Sequence, residues 1–289
     1  MSTLASRRLG DLHVSAIGMG AMTLTQLAGS DPARGVRAVH AALDAGVTLF
    51  DTADSYGPSS EHGVNELALI RAMRTYAGTL DGVVVATKGG HTRHENASWW
   101  IDGSPEHLAR AARDSAARLG LDSLPLYQHH RPDPRVAYAE SMGALRQLVD
   151  DGVVQRVGIS NVDAAQLDVA LKILGGALVS VQNEYSPSAR SQAPMVRLCE
   201  RHGLAFLAWG PLGGMRAAKS LGAALAAFAE IGQERGVSPQ RVAIAWALAE
   251  SPALIPIPGA SRPESVLDTV AALELELTPE ELCRLNGGN

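Results

Sequence analysis

Cysteine and aromatic residues are scarce in this 289-residue chain, which has 2 cysteines and an aromatic content of 4%. Cys199 and Cys283 lie far apart, with no CxxC pair and no histidine-rich neighbour. That spacing excludes a disulfide framework and offers no zinc-ligand pattern, so a reducing cytoplasm is the expected location and no metal is called for. An excess of charge of one sign is missing too. The 25 Lys and Arg against 30 Asp and Glu leave a net charge of −5 without runs of like charge, so a nucleic-acid or membrane-surface role gains no support. No stretch approaches the roughly 20 apolar residues of a membrane span. The segment 1–17 lacks the apolar run of about 7 to 15 residues that a signal peptide needs, so a soluble, unprocessed protein is expected. The first strand candidate runs into Gly18-Met19-Gly20-Ala21-Met22-Thr23. The third glycine of a GxGxxG fingerprint is absent there, which argues against a doubly wound open sheet.

Hydrophobic residues make up 46% of the chain, enough for a sizeable core. Short β-branched runs alternate with Ala/Leu/Arg-rich stretches of helical period. Strands are predicted at 14–17, 47–50, 83–86, 124–127, 154–159, 178–181, 204–208 and 254–257. Helices are predicted at 32–46, 64–76, 105–119, 135–150, 163–174, 190–202, 238–250 and 263–273, several opening on Ser104-Pro105, Asp163, Ser238-Pro239 or Arg262-Pro263. Eight strands each followed by a helix point to an α/β fold, a (β/α)8 TIM barrel with a short N-terminal hairpin and extra C-terminal helices. No composition break marks a second domain, so 1–289 is read as one. The segment 2–12 is expected to be a hairpin on the barrel floor, 89–103 a long loop, and 220–235 an extra helix.

Active sites of such barrels lie at the C-terminal ends of the strands. Polar groups that a buried strand end would otherwise avoid occur there as Asp51 with Tyr56 close behind, Lys88 and His130. A phenol is a poor acid near neutrality because its ordinary pKa is about 10. Lys88 is the cation that would favour its ionised form, Asp51 would hold that ammonium in place, and His130 would donate to a substrate oxygen or relay a proton. Such a tetrad suits protonation of a carbonyl oxygen as a cofactor delivers hydride to the carbon, or the reverse.

The segments that carry these residues are GVTLFDTADSYG at 46–57, ATK at 86–88 and LYQHHRPDP at 126–134. With GISN at 158–161, VQNEYSP at 181–187, PLGG at 211–214 and IPGASR at 257–262, each at a strand end, the chain resembles the aldo-keto reductase superfamily over nearly its whole length. The resemblance implies a barrel that binds NADPH without a Rossmann unit, with NADH as the alternative cofactor, and that reduces aldehydes or ketones to alcohols. It makes Tyr56 the general acid, tuned by Lys88 and Asp51, with His130 orienting the carbonyl. It assigns Ser160, Asn161 and Gln182 to the nicotinamide carboxamide and Trp209 to stacking on the ring. Gly210, Pro211, Leu212 and Gly214 fall along the pyrophosphate path. The segment 259–268 would take the adenosine end, with Gly259, Ser261, Arg262 and Ser265 around a 2′-phosphate and Asp268 near the adenine amine. Some members carry Lys where Gly259 stands and Arg where Ser265 stands, so the preference for NADPH rests on Ser261 and Arg262.

Aligning on Arg131-Pro132-Asp133-Pro134 selects His130 over His129, and strand alternation then sends His129 outward against a helix. Trp99 and Trp100 either line a substrate pocket or anchor the long loop, and Met22 sits on the same rim. Arg7 and Arg8 read as a solvated turn, and Cys199 and Cys283 as idle thiols. The last helix is expected to end near Leu285 with no long tail beyond it, which leaves the pocket open on that side. The substrate is expected to be a small-molecule carbonyl compound such as a small polar aldehyde, a pyridoxal-like aldehyde or a keto-sugar. Two other readings remain at this point, a nucleotide-sensing regulatory subunit on the same fold and a barrel hydrolase or lyase using Asp51 and His130. Oligomeric state is not legible.

Overall fold

The chain first folds back on itself at Gly10, whose φ of +64° suits a residue without Cβ. In the computed structural model, which describes residues 4–26, 31–58, 60–94, 96, 98–214, 218, 221 and 225–287, this turn joins β1 (Ser6–Leu9) to β2 (Leu12–Ser15), with Leu9 opposite Leu12. Leu9 and Val14 are fully buried among the barrel's lower interior residues, which include Leu49, Val84, Leu126 and Ile255. The hairpin therefore closes the floor, and each of these two side chains contributes roughly 1.5–3 kcal/mol by leaving water. Arg156 clasps it from outside through Asp11 at 2.5 and 2.7 Å. The predicted strand at 14–17 thus ends up divided. Val14 and Ser15 belong to the hairpin, and the first barrel strand is β3 (Met19–Gly20).

The other seven barrel strands are β4 (Leu49–Asp51), β5 (Val84–Gly89), β8 (Leu126–His129), β9 (Val157–Ser160), β10 (Leu178–Glu184), β11 (Ala205–Trp209) and β12 (Leu254–Pro256). They pair in parallel and in chain order from β3 to β12. The ring closes where Gly20 bridges Gly259, with Gly18 N donating to Pro256 O at 2.9 Å and Gly20 N to Pro258 O at 3.0 Å. A Cβ on Gly20 would lie 2.8 Å from Ile257 O, and one on Gly259 would lie 2.9 Å from Thr23 Cγ2. Both glycines are thus explained by closure of the barrel. The segment 89–103, expected as a loop, instead pairs β6 (His91–Arg93) with β7 (Trp99–Ile101) as an antiparallel hairpin at the opposite end, with Arg93 across from Trp99.

Helices pack outside this ring. They are α1 (Pro32–Asp44), α2 (Val64–Arg74), α3 (Pro105–Leu119), α4 (Tyr138–Asp150), α5 (Ala164–Leu174), α6 (Ala193–His202), α7 (Ala226–Arg235), α8 (Pro239–Glu250), α9 (Pro263–Val270) and α10 (Pro279–Leu285) among the described residues. Ser104 caps α3 by accepting from His107 N, Ser238 caps α8 by accepting from Arg241 N, and Asp163 forms a capping box with Gln166 on α5. Arg262 precedes α9 without a side-chain cap. α4 starts three residues later than its periodicity predicts because Asp133 accepts from both the backbone N and the guanidinium of Arg135, which holds a turn there. The start of the helix expected at 220–235 lies outside the described residues. No described helix is long and apolar enough to cross a membrane.

Candidate active site

Along each barrel strand alternate residues point inward, and the inward set changes from apolar to polar toward the C-terminal end. Leu49 gives way to Asp51, Val84 and Ala86 to Lys88, Leu126 to Gln128, and Gly158 to Ser160, while Phe50, Val85, Tyr127 and Ile159 pack outward on the helices. A register shift in β10 between Leu178 and Ser180 puts Val179 in the floor cluster and still leaves Gln182 at the polar level.

At that level Lys88 is fully buried and its ammonium has three acceptors: Asp51 Oδ2 at 2.6 Å, Thr52 O at 2.9 Å and Tyr56 Oη at 3.0 Å. Three N–H groups meet three oxygens, so none is left unpaired. Asp51 Oδ1 accepts from Gln128 Nε2 at 3.0 Å and Gln182 Nε2 at 2.8 Å, and Gln182 Nε2 also donates to Gln128 Oε1 at 3.0 Å. Because a carboxylate only accepts, it fixes the orientation of both amides. Gln128 crosses to Asp51 over Gly158, where a Cβ would come within 2.8 Å of its Cγ.

Tyr56 stands on the turn between β4 and α2, with the Lys88 nitrogen 4.7 Å from its ring centre and the His130 ring 5.6 Å away, edge to face. The structure thus brings Asp51, Tyr56, Lys88 and His130 together. Burial raises the Tyr56 pKa and outweighs the downward pull of Lys88, so the phenol is protonated at neutral pH. From the sequence, Lys88 is expected to favour the phenolate. Its pull is present, but desolvation of the phenol is the larger effect. Burial alone would lower the Lys88 ammonium, but Asp51 first and Tyr56 after it carry it above its ordinary value. His130 is pushed well below its usual pKa by burial and then by the Lys88 charge, so its ring is neutral. His129 is also buried and lowered to about 4 by desolvation, and its ring leans on Tyr138 at the start of α4. It faces a helix, as the alternation predicts.

Ser160, Asn161 and Gln182 form one hydrogen-bonded group beside the tetrad. Ser160 Oγ donates to Gln182 O at 2.7 Å, Asn161 Nδ2 donates to Ser160 Oγ at 3.0 Å, and Asn161 N donates to Gln182 O at 3.1 Å. Asn161 Nδ2 also holds His130 O at 2.9 Å, from a backbone with φ +58°, which is unusual for any residue but glycine and concentrates at functional sites. The Gln182 amide nitrogen donates to Asp51 and Gln128, because the buried carboxylate must be satisfied.

At the end of β11 the ring of Trp209 is partly exposed, while its Nε1 is buried with no partner. Gly210, Gly213 and Gly214, around Pro211 and Leu212, have φ of 60°, 80° and 83°, and a Cβ on Gly214 would meet open space. Such left-handed backbone lets a phosphate approach the chain closely. Across the rim, Ser261, Arg262 and Ser265 stand at the N-terminus of α9, with Arg262 Nη2 3.4 Å from Ser265 Oγ. These residues fit an anionic dinucleotide. Asp268, expected near the adenine amine, is on the same helix and half-buried. Arg241 and Ser238 Oγ bind its carboxylate at 2.8 and 2.5 Å, which ties α9 to the start of α8.

Sequence reasoning missed Gln128, His91 and Arg93. Gln128 was legible, since it precedes His130 by two positions and so shares its face of β8. His91 and Arg93 became meaningful only once 91–101 was seen as a hairpin. His91 stacks on Trp99 at 4.5 Å and meets the His130 ring edge-on at 5.1 Å. Trp99 is therefore the tryptophan on the tetrad side. Trp100 is on the other face of β7, stacked on His94 at 5.0 Å and under the Arg135 guanidinium at 5.2 Å. Met22, half-buried in the 3-10 turn Ala21–Leu24 after β3, is at the rim.

The model of the aldo/keto reductase family matches residues 16–287. A pyridoxine 4-dehydrogenase of Escherichia coli is 32% identical over 290 residues, covering 96% of this chain and 96% of that protein. A 6-dehydroglucose reductase of Novosphingobium aromaticivorans is 33% identical over 287 residues, 94% of this chain and 91% of that protein. Among solved structures, an aldo/keto reductase from Klebsiella pneumoniae in complex with NADP and acetate superposes with a TM-score of 0.83 at 26% identity, covering 99% of this chain and 95% of that one. A glycerol dehydrogenase from Gluconobacter oxydans gives 0.83 at 26% identity, covering 98% and 94%. With the parallel barrel, the buried Asp51–Lys88 pair and the tyrosine beside it, this chain belongs to the aldo/keto reductase family of oxidoreductases.

Proposed function

We propose that this barrel is an NADPH-dependent reductase that converts a small polar aldehyde or ketone to an alcohol, or the reverse, with Tyr56 as the proton donor. One observation carries the reading. Lys88 can only donate, so Tyr56 Oη accepts from it, and the phenol's own proton is directed away from Lys88, available to a carbonyl oxygen. Bound NADPH would supply the hydride. Trp209, the glycines at 210–214, and Ser261, Arg262 and Ser265 would hold it, while Asn161 keeps His130 in place. His130, uncharged and edge-on to Tyr56, orients the substrate oxygen without competing as an acid. As that oxygen takes the Tyr56 proton, the ammonium of Lys88 stabilises the phenolate left behind, and Asp51 holds the ammonium. A pyridoxal-like aldehyde or a keto-sugar is the proposed substrate class, in keeping with the relatives' activities.

The test is a turnover screen of aldehydes, ketones and alcohols with NADPH and with NADH. Steady NADPH-dependent turnover that falls by about 10² to 10⁴ in Tyr56→Phe, with cofactor affinity retained, is the expected result. Undiminished rates in that variant would remove Tyr56 from its role. Tight NADPH binding without turnover would instead support a sensor.

A further inference from the structure

Tyr56 is on a turn rather than a strand, so no sheet ladder fixes it. Its own N–H reaches Ala53 O only at 3.4 Å. The carbonyls on either side of it are held from across the mouth by one residue of β6. Arg93 Nη2 donates to Gly57 O at 2.9 Å and its Nε to Ser55 O at 3.3 Å. The same guanidinium lies 3.6 Å from the centre of the Trp99 ring, Trp99 stacks on His91, and His91 meets His130 edge-on. The two residues that handle the carbonyl oxygen, one on a turn after β4 and the other at the end of β8, are thus linked outside the barrel by contacts that run through Arg93, Trp99 and His91.

We propose that Arg93 is a positioning residue for the reaction: by holding the Ser55 and Gly57 carbonyls it sets where the Tyr56 hydroxyl stands relative to Lys88 and His130. The proposal rests on the reading of Tyr56 as the proton donor. A planar guanidinium presents parallel N–H groups that can meet two carbonyls at once while its face lies on an indole, and an ammonium cannot reproduce this. Displacement of a reacting group by about 1 Å costs on the order of 100-fold in rate. Loss of Arg93 should therefore act on kcat and leave the dinucleotide, bound on the far side near Trp209 and Arg262, unaffected.

The experiment is a double-mutant cycle of Arg93→Met and Tyr56→Phe in the full chain, with Arg93→Lys as the conservative variant. NADPH affinity and the thermal midpoint are measured beside kcat and KM. Arg93→Met is expected to lower kcat about 10- to 100-fold with KM for the cofactor and NADPH affinity within 2-fold of wild type, and Arg93→Lys to recover part of the loss. In the Tyr56→Phe background the Arg93→Met change is expected to cost no further rate, because the group it positions is gone. Equal multiplicative losses in both backgrounds, or a kcat unchanged in Arg93→Met, overturn the proposal. Wild-type rates in Tyr56→Phe alone would instead overturn the reading beneath it. Should Arg93→Met fail to fold, Arg93→Lys carries the same cycle, with the same additivity outcome deciding.

Discussion

Each end of the barrel carries a hairpin of two short antiparallel strands, yet the two hairpins do opposite work. At the floor, β1 and β2 send Leu9 and Val14 inward among Leu49, Val84 and Ile255, and the buried Ser15 hydroxyl is paired with Ile17 O and Thr48 N. At the mouth, β6 and β7 present His91, Arg93 and Trp99, with Trp99 still 41% exposed. Their contacts are rings and a guanidinium against Tyr56's turn and His130. The floor hairpin acts through area removed from water, which is insensitive to fine geometry. The mouth hairpin acts through directional contacts that bury little and place a great deal. Stability should therefore be concentrated at one end and rate at the other.

The largest expected effect is at the polar level below the mouth. Lys88→Met leaves the Asp51 carboxylate buried with no cation beside it, a loss of about 3–5 kcal/mol for breaking one partner of a buried pair. It also removes the charge that stabilises a Tyr56 phenolate. Carbonyl reduction should fall by at least about 10²-fold, and denaturant melts should show the midpoint drop. Activity that survives would mean that the tetrad is structural. At the floor, Leu9→Ala is the matching cut. It should cost about 2–5 kcal/mol in the same melts while kcat and KM stay within about 2-fold of wild type, because Leu9 is packed in the apolar cluster below the polar level. A kcat loss there would break the contrast between the two ends.

The outcome for 14–17 and 89–103 shows what the sequence could convey. Parallel strands announce themselves as β-branched runs of period 2, and Asp51 and Lys88 stand two positions beyond apolar Leu49 and Ala86, so they were legible from alternation, and His130 from its place just past a strand end. Hairpins were harder. Val14 is as apolar as a barrel strand residue, and nothing local distinguishes a floor plug from the first strand. Within 91–101, histidine, arginine and tryptophan pair by stacking, which has no period. The start of α4 was displaced by a side-chain contact between Asp133 and Arg135, which propensity does not contain. Closure of the ring against Gly20 gives Gly259 a structural reason of its own beside the cofactor role that the resemblance implies.

Between the two ends lies a second buried acidic cluster that the proposed chemistry does not use. Asp54 is buried behind the Tyr56 turn near Glu66, whose carboxylate takes Arg118 Nε at 2.6 Å and Thr87 Oγ1 at 2.5 Å. Burial first, then the Glu66 charge, raises Asp54 to about 8, so the folded protein keeps a proton there that the unfolded chain releases near pH 4. The native state therefore binds more protons between those values, and stability falls as pH rises through that window, then levels off above about 8. Asp54→Asn has no such proton to lose. Relative to the variant, the wild type should lose about 1 kcal/mol for each pH unit between pH 5 and 8, read from melts across that range. Parallel stability curves for the two proteins would show that Asp54 titrates normally.

The smallest stability effect is expected where a large side chain is removed from the mouth. Trp99→Ala deletes an indole, a change that costs about 3–5 kcal/mol in a core. Here the ring is 41% exposed and its identified partners are one stacked imidazole and one guanidinium. Those contacts are worth about 0.5–1.5 and 0.5–1 kcal/mol, and part of each is regained from water once the ring is gone. The melt should therefore move by less than about 1.5 kcal/mol, well short of Leu9→Ala, although tryptophan is the larger residue. Kinetics should reverse that order. Without Trp99, His91 loses its stacking partner beside His130, and under the proposed function the substrate loses an apolar wall. KM for the carbonyl should then rise several-fold, on the order of 1 kcal/mol of binding. If the melt instead falls as far as it does for Leu9→Ala, the mouth hairpin is a structural plug like the one at the floor, and its arginine and rings owe their positions to packing rather than to the reaction.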